Sequence, residues 1–317
     1  MANPLNKLVA PRFPATALGL EKGSASVVQL ERGRQGFALR RAATITLAPD
    51  LVSPSFDEPN VADPAALVEA LSELVTSAGL LRQRKWSVAL PESAARTIIL
   101  NLESASTSRR ELEEVLEWKL ERGFGVAVRE LSIARERLAP DSQGRARYVA
   151  TGVRTSVLQE YETVFTALGW RAGLVLPRHV GEERWLVRNG DRGDALLLTS
   201  HDQGFTAVLL RDNQPLIMRS VLCEPDDCDD ELYRVLLFYR DRAGSDGSAV
   251  EAPSVDRLLV VGEGMSRTRV ADIVNETLGS SIRALNAADV GLTLPEGDFS
   301  FDRVAAPAGL ATLAWSE

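Results

Sequence analysis

Three glycine-containing turns have the composition of ligand-binding loops. They lie at residues 21–24 (EKGS), 199–204 (TSHDQG) and 262–264 (GEG). Turns whose backbone N–H groups point inward cradle phosphate, and two such turns facing each other can hold a nucleotide between two lobes. Glycines placed directly after a buried strand also let a ligand approach the backbone closely. The candidate cofactor-binding residues are Glu21, Gly23, Ser24, Ser26, Thr199, Ser200, Gly204, Gly262 and Gly264.

The other reactive residue types form no recognisable catalytic motif in the sequence. The two histidines, His179 and His201, lie in different segments, and four residues separate Cys223 from Cys228. That cysteine spacing, with carboxylates between, does not match a zinc site. The sequence contains no Gly-x-Ser-x-Gly or Walker A motif and no recognisable pair of catalytic carboxylates. We therefore assign no catalytic residue and no metal ligand.

The elements that would position the three turns form a repeated pattern. Residues 15–47 contain three apolar runs separated by glycine turns, which is typical of a β-meander, and the pattern returns from residue 194. A helix is predicted after each meander, the first capped by Asp63 with Pro64 in its first turn. A buried strand at 255–261 leads into the third turn. The sequence therefore predicts two similar lobes.

An additional α+β segment interrupts this pattern. The sequence predicts an amphipathic helix at 108–123, capped by Ser108, and strands at 96–102, 130–138 and 146–153. We expect 1–86 to form the N-terminal part of the first lobe and 87–176 to form a small inserted α+β domain. The second lobe would occupy 177–317, with a return to the first lobe at the C-terminus.

Composition restricts the class of protein. The chain has 317 residues, 45% of them hydrophobic and 25% charged, which is an ordinary globular balance. With 36 basic and 44 acidic residues its net charge is −8, which argues against nucleic acid as a partner. Two cysteines favour a reducing compartment. The sequence shows neither a signal peptide nor a membrane span, so we expect a cytoplasmic protein.

The order of these elements resembles the actin-like, or ribonuclease H-like, ATPase fold, which is an α/β fold of two lobes. More narrowly, the chain resembles the type IV pilus assembly protein PilM family and its FtsA-like relatives. The resemblance is carried by the first turn with its flanking strands, the inserted domain, a helix ending in Phe-Tyr, the third turn and the closing helix. The corresponding segments are 18–30 (LGLEKGSASVVQL), 88–91 (VALP), 111–123, 161–169, 237–240 (LFYR), 259–264 (LVVGEG) and 304–311 (VAAPAGLA).

The resemblance implies ATP with magnesium between the lobes, but three positions depart from the family pattern. Glu21 stands where the family has aspartate, His201 falls on a glycine position that follows a lost carboxylate, and Glu263 interrupts consecutive glycines. Hydrolysis needs a metal on the phosphate oxygens and an oriented water. We therefore expect a degenerate site with little or no ATP turnover, and whether nucleotide still binds remains open.

The resemblance also implies a partner. Such a protein would be a cytoplasmic scaffold of a type IV pilus or related secretion machine, peripheral to the inner membrane. It would bind the N-terminal cytoplasmic peptide of a PilN-like inner-membrane protein in a groove beside the inserted domain. Phe124 and Val126 are candidate lining residues, but a structural core role is the favoured interpretation for each. Homo-oligomerisation stays open. The alternative is an active actin-like ATPase or sugar-kinase-like phosphotransferase, in which Glu21 and Asp202 take over the missing roles.

Overall fold

The computed structural model describes residues 13–34, 36–102, 108–141, 143–187, 193–245, 254–297 and 299–316. The strands are β1 (Thr16–Leu20), β2 (Ser24–Arg32), β3 (Phe37–Thr46), β4 (Lys85–Leu90), β5 (Arg96–Asn101), β6 (Leu131–Leu138), β7 (Arg147–Arg154), β8 (Arg171–Pro177), β9 (Asp194–His201), β10 (Gly204–Arg211), β11 (Gln214–Leu222), β12 (Arg257–Val261) and β13 (Leu292–Thr293). The helices are α1 (Pro64–Ser77), α2 (Arg109–Phe124), α3 (Thr155–Ala167), α4 (Arg178–Glu183), α5 (Cys228–Ser245), α6 (Arg267–Leu278) and α7 (Phe301–Ala311).

The first lobe is built on a six-stranded sheet of order β13-β3-β2-β1-β4-β8. The meander β1-β2-β3 is antiparallel, and β4 and β8 continue it in parallel. Helix α1 begins as predicted, because the Asp63 carboxylate accepts hydrogen bonds from the Ala65 and Ala66 N–H groups. Leucines at helical spacing, Leu67, Leu71 and Leu74, are fully buried against the sheet together with α3.

The inserted part is a three-stranded sheet of order β5-β7-β6 with α2 on one face. Leu116, Leu120 and Phe124 of α2 form its core with residues of the three strands. This unit runs from β5 to β7 and is narrower than the predicted 87–176. Strands β4 and β8 belong to the first sheet, and α3 lies in the core of the first lobe.

The second lobe repeats the first. Its four-stranded sheet has the order β11-β10-β9-β12, with an antiparallel meander followed by the parallel strand β12. Helices α5 and α6 bury their apolar faces on the side of this sheet that faces away from the first lobe. The two meanders therefore have equivalent places in the two lobes, as the sequence pattern predicts.

Two helices, α4 and α7, lie between the lobes. The core around α7 includes Ala17 and Val28 of the first sheet as well as Leu197 and Leu259 of the second. The alanines of α7 and its Gly309 allow the helix to approach the strands closely, since small side chains shorten the distance between packed elements. The C-terminal helix thus packs on the first sheet although it follows the second lobe in the chain.

Within the described ranges, no helix combines the length and the apolar character needed to cross a membrane.

Candidate functional site

The three predicted turns meet at one cavity of about 500 Å³ between the lobes. The β1–β2 turn supplies one wall, the β9–β10 turn the opposite wall, and the residues after β12 a third side. The N-terminal end of α7 completes the lining with Asp302 and Arg303, which sequence reasoning did not assign to the site. The predicted residues that line the cavity are Glu21, Gly23, Ser24, Ser200, Gly262 and Gly264.

Three other predicted site residues lie close by without lining the cavity. The Ser26 hydroxyl donates to the Arg303 carbonyl oxygen over 2.7 Å. Thr199 is fully buried, and its hydroxyl donates to the Glu182 carboxylate. Gly204 begins β10 with φ of +137°, where an added Cβ would lie 2.2 Å from the Val221 carbonyl oxygen. These three residues have structural contacts that account for their positions.

Backbone N–H groups around the cavity are already engaged by side chains of the protein. The Gly262 N–H donates to Asp302 Oδ1 over 2.9 Å, and the Gly264 N–H donates to Ser200 Oγ over 3.0 Å. In the β9–β10 turn the Gln203 N–H donates to His201 Nδ1 over 3.3 Å. Side-chain acceptors therefore already receive hydrogen bonds from backbone N–H groups that a phosphate-binding loop would leave available for the phosphate.

Ion pairs connect the first hairpin turn to the second turn and to helix α4. Lys22 Nζ lies 3.3 Å from Asp202 Oδ2, so the two turns are linked directly. Glu21 Oε2 accepts from the Arg178 guanidinium at 2.9 Å. The side chains of Lys22 and Glu21 are 50% and 36% exposed, so only the Arg178 contact is well shielded on one side.

Comparison with solved structures identifies the architecture. A chain of the PilM-PilN type IV pilus biogenesis complex superposes with a TM-score of 0.72 and 19% sequence identity, covering 96% of this chain and 98% of that chain. This protein has the actin-like fold. The predicted fold class is thereby confirmed, and the repeated meander in the two lobes is its signature.

Two further solved structures are similar at lower scores. The cytoplasmic domain of EpsL, an inner-membrane component of the type II secretion system of Vibrio cholerae, has a TM-score of 0.45 and 16% identity, covering 86% of this chain and 98% of that chain. A Bacteroides thetaiotaomicron protein with an actin-like ATPase fold and unknown function has a TM-score of 0.47 and 10% identity, with both chains fully covered. Both scores are too low to add to the assignment. No protein-family model and no curated protein matches the sequence.

The charged side chains of the actin-like cleft are paired with one another. Each of the four carboxylates in the lining has a cationic partner; the pairs are Glu21–Arg178, Asp202–Lys22, Glu263–Arg303 and Asp302–Arg267. Among the described residues, no group of three or more His, Cys, Asp or Glu side chains is placed to hold a metal ion. A polyphosphate would compete with these carboxylates for the same cations, and the Gly262 and Gly264 N–H groups would first have to release Asp302 and Ser200.

Arg178 of α4 connects the two actin-like lobes through a buried charge network. Its Nε donates to Glu182 Oε1 over 2.8 Å, and its Nη1 lies 2.9 Å from Glu21 Oε2 in the first lobe. Glu182 in turn accepts from Thr199 in the second lobe. Burial opposes the charge on Arg178, but the Glu182 and Glu21 carboxylates outweigh it, so the pKa of Arg178 lies above its ordinary value. The guanidinium of Arg178 thus pairs with Glu21, the residue that stands at the aspartate position of the family pattern.

A second buried pair joins the start of α4 to the loop after β4. His179 Nδ1 lies 2.7 Å from Glu92 Oε1, and both side chains are almost fully buried. Burial by itself would raise the pKa of Glu92, but the neighbouring His179 more than compensates and lowers this pKa to about 2. The same pairing outweighs burial at His179 and raises the pKa of its imidazole. The pair is therefore ionised on both sides at mildly acidic pH.

Because of the His179–Glu92 pair, we expect the free energy of unfolding to depend on pH. The Glu92 contribution is complete above the unfolded carboxyl pKa of about 4.5 and is lost as pH falls towards about 2. The His179 contribution is complete below the unfolded imidazole pKa of about 6.5 and is lost as pH rises through its raised folded value. We expect His179→Gln to reduce the free energy of unfolding most between pH of about 4.5 and 6.5.

Urea unfolding of both proteins over a pH series measures this difference. His201→Gln is the control, because burial chiefly lowers the pKa of His201 and its pH trend should have the opposite sign. A stability difference for His179→Gln that stays constant with pH would show that the contact contributes only a neutral hydrogen bond.

Phe124 and Val126, the candidate residues of a partner groove, do not line the inter-lobe cavity. Phe124 is 1% exposed in the core of the inserted sheet, and Val126 packs against the same core. Their positions agree with the core role that the sequence analysis favours for both residues.

Proposed function

We propose that this protein is a cytoplasmic scaffold of a type IV pilus or related secretion machine, recruited to the inner membrane by a partner. In this proposal it binds the N-terminal cytoplasmic peptide of a PilN-like inner-membrane protein. The supporting observation is the similarity over nearly the whole length of both chains to a component of the PilM-PilN complex. Fold similarity by itself does not fix function, so the proposal depends on recovering the partner.

Co-purification from the native cells tests this function. An affinity-tagged chain, isolated from detergent-solubilised membranes after brief crosslinking, should recover an inner-membrane protein with a short cytoplasmic N-terminus, identified by mass spectrometry as a pilus or secretion component. Deletion of the gene should also abolish pilus- or secretion-dependent behaviour. If the tagged protein recovers only soluble proteins, and deletion leaves those behaviours intact, the scaffold role is wrong.

The cleft of such a scaffold would be a degenerate nucleotide site in which side chains replace the ligand. The engaged Gly262 and Gly264 N–H groups and the Arg178–Glu21 ion pair support this part of the proposal. We expect isothermal titration with Mg-ATP to give no binding heat at nucleotide concentrations of about 1 mM, the upper end of typical substrate affinities. We also expect no phosphate release.

The opposite result would favour the ATPase or phosphotransferase alternative. Micromolar binding, with turnover that Glu21→Ala abolishes, would show that Glu21 serves a reacting nucleotide. Binding without turnover, unchanged in Glu21→Ala, would make the nucleotide a structural ligand and would contradict the proposed replacement by side chains.

A further inference from the structure

Two cysteine thiols meet where β11 joins α5. Cys223 follows the last residue of β11, and Cys228 is the first residue of α5. They are the two cysteines of the chain, and both are free thiols in this structure. Their Sγ atoms lie 2.9 Å apart, whereas a disulfide bond is about 2.05 Å long. The sulfurs therefore need to approach each other by less than about 1 Å to form a bond.

The separation of the two sulfurs does not suit a shared metal ion. Two thiolates that bind tetrahedral zinc at about 2.3 Å each lie roughly 3.8 Å from each other. The acidic residues between the cysteines complete no ligand set, because no group of three or more His, Cys, Asp or Glu side chains in the described ranges is placed to hold a metal ion. The pair is therefore placed for sulfur–sulfur chemistry.

The two thiols differ in their access to solvent. Cys223 is half-buried, whereas Cys228 is 5% exposed and packs in the core of the second lobe. A dissolved reagent therefore reaches Cys223 first. The Cys228 sulfur is reached by the Cys223 sulfur beside it. The pair has the arrangement of an attacking thiol with a resolving thiol behind it.

The surroundings favour the bonded pair over the two thiols. Burial, the Cys228 thiol and the carboxylates of Glu231 and Asp227 raise the pKa of the Cys223 thiol, since each disfavours its thiolate. A disulfide carries no charge on either sulfur, so neither burial nor the carboxylates oppose it. A low thiol pKa stabilises the reduced form of a dithiol, and a raised pKa has the opposite effect. At equilibrium a mild reagent therefore oxidises the pair.

The cysteine pair borders the β9–β10 turn of the inter-lobe site. The Cys223 N–H donates to the Gln203 carbonyl oxygen over 3.1 Å. Gly204 approaches so closely that an added Cβ would lie 3.0 Å from the Cys223 nitrogen. The same turn carries Asp202, which pairs with Lys22 of the first lobe. A constraint on Cys223 therefore acts on one wall of the inter-lobe cleft.

From this combination we infer that Cys223 and Cys228 form a reversible intramolecular disulfide, a redox modification that fixes the end of β11 to the start of α5 and holds the β9–β10 turn. In a reducing compartment such a bond is transient and responds to the state of the thiol pool. The oxidant is a small disulfide, of which glutathione disulfide is the example used here.

The bond forms by two successive thiol–disulfide exchanges. The Cys223 thiolate attacks one sulfur of the small disulfide, forms a mixed disulfide and releases one small thiol. The Cys228 thiol then loses its proton, and its sulfur attacks Cys223 Sγ, so the second small thiol leaves. The two cysteine sulfurs are oxidised by two electrons, and the two released thiols carry away these electrons and two protons.

Mass spectrometry of the full chain treated with glutathione disulfide tests the bond. Trypsin leaves both cysteines on one peptide, 220–234, because the chain has no lysine or arginine between Arg219 and Arg234. In the treated protein this peptide should weigh two hydrogen atoms less and should resist alkylation until a reducing agent is added. A chain that keeps two free thiols, or that stops with glutathione bound to Cys223, would overturn the inference.

Two variants separate the roles of the thiols. Cys228→Ser should accumulate the mixed disulfide on Cys223, since no resolving sulfur is present. Cys223→Ser should react more slowly by about tenfold or more, because the remaining thiol is buried. Equal reaction rates of the two variants would contradict the assigned order of attack.

Amide hydrogen exchange tests the effect on the turn. Oxidation of the wild-type chain should slow exchange in 201–204 and 223–229 by about tenfold, while the inserted sheet keeps its exchange rates. Cys228→Ser treated with the same reagent is the matched control and should show no slowing. Unchanged exchange in 201–204 of the oxidised wild type would show that the bond does not hold the turn. None of these measurements depends on the partner of the proposed scaffold.

Discussion

Replacement of Arg178 by methionine is expected to lower the free energy of unfolding by about 3–5 kcal/mol, the usual cost of removing one partner from a buried ion pair. The Arg178 side chain is 3% exposed and Glu182 is completely buried. Methionine fills much of the same volume but leaves the Glu182 charge without its cation. Among the described residues, Glu182 would then keep the hydrogen bond from Thr199 as its remaining polar contact. Urea unfolding followed by tryptophan fluorescence measures the loss.

Two further variants show whether the unpaired charge of Glu182 causes the loss of stability in Arg178→Met. In the double variant Arg178→Met with Glu182→Gln, the isolated buried charge is gone, and about half or more of the lost stability should return. Arg171→Met removes an arginine that is exposed at the start of β8, and it should change stability by no more than about 0.5 kcal/mol. A loss below about 1 kcal/mol for Arg178→Met would show that the network contributes little to joining the lobes.

Local signals predicted the turns and the meanders correctly. Glycine turns between alternating apolar runs locate both hairpins, and the Asp63-Pro64 pair locates the first helix, because each signal depends on residues a few positions apart. The convergence of three turns on one cavity was expected from the family resemblance. Neighbouring residues alone could not establish it, since the turns are separated by whole domains.

The contacts that decide the chemistry of the cleft could not be predicted from sequence. Asp302 and Arg178 reach the site from helices whose sequences show only apolar periodicity and charge. The predicted bounds of the inserted subdomain, 87–176, were too wide for a related reason. Strands β4 and β5 are both short apolar runs, and nothing in either run shows that β4 pairs with β1 while β5 pairs with β7. The sheet to which each strand belongs depends on which strand it pairs with, and that partner lies far away in the sequence.

The sequence also could not show which contacts Glu21 and His201 make, because their partners are set by the folded structure. The substitutions at Glu21 and His201 suggest lost chemistry, but the structure shows that these residues have acquired other contacts: Glu21 pairs with Arg178, and His201 accepts from the Gln203 N–H. Because side chains already link the two walls of the cleft, no bound ligand is needed to keep the walls together. This arrangement would suit a scaffold that presents a fixed surface to its partners.

The crossing of α4 and α7 gives the second large expected effect. Gly181 and Gly309 meet backbone to backbone: a Cβ added to Gly309 would lie 1.8 Å from the Gly181 carbonyl oxygen, and a Cβ added to Gly181 would lie 2.1 Å from the Ala306 carbonyl oxygen. In an exposed helix, glycine to alanine usually stabilises by about 1 kcal/mol. Here Gly309→Ala should instead destabilise by about 3 kcal/mol or more, because overpacking forces the two helices apart.

Gly173→Ala is the matched control for this prediction, since a Cβ at Gly173 would meet nothing within 4 Å. Its effect on the free energy of unfolding should stay within about 0.5 kcal/mol, measured by the same urea titration. Because α4 connects the lobes and α7 packs on the first sheet, Gly309→Ala should also speed amide exchange in both helices while leaving the inserted sheet unchanged. Equal stability of the Gly309→Ala and Gly173→Ala variants would mean that the crossing tolerates a wider separation, and the helices would then not fix the relation between the lobes.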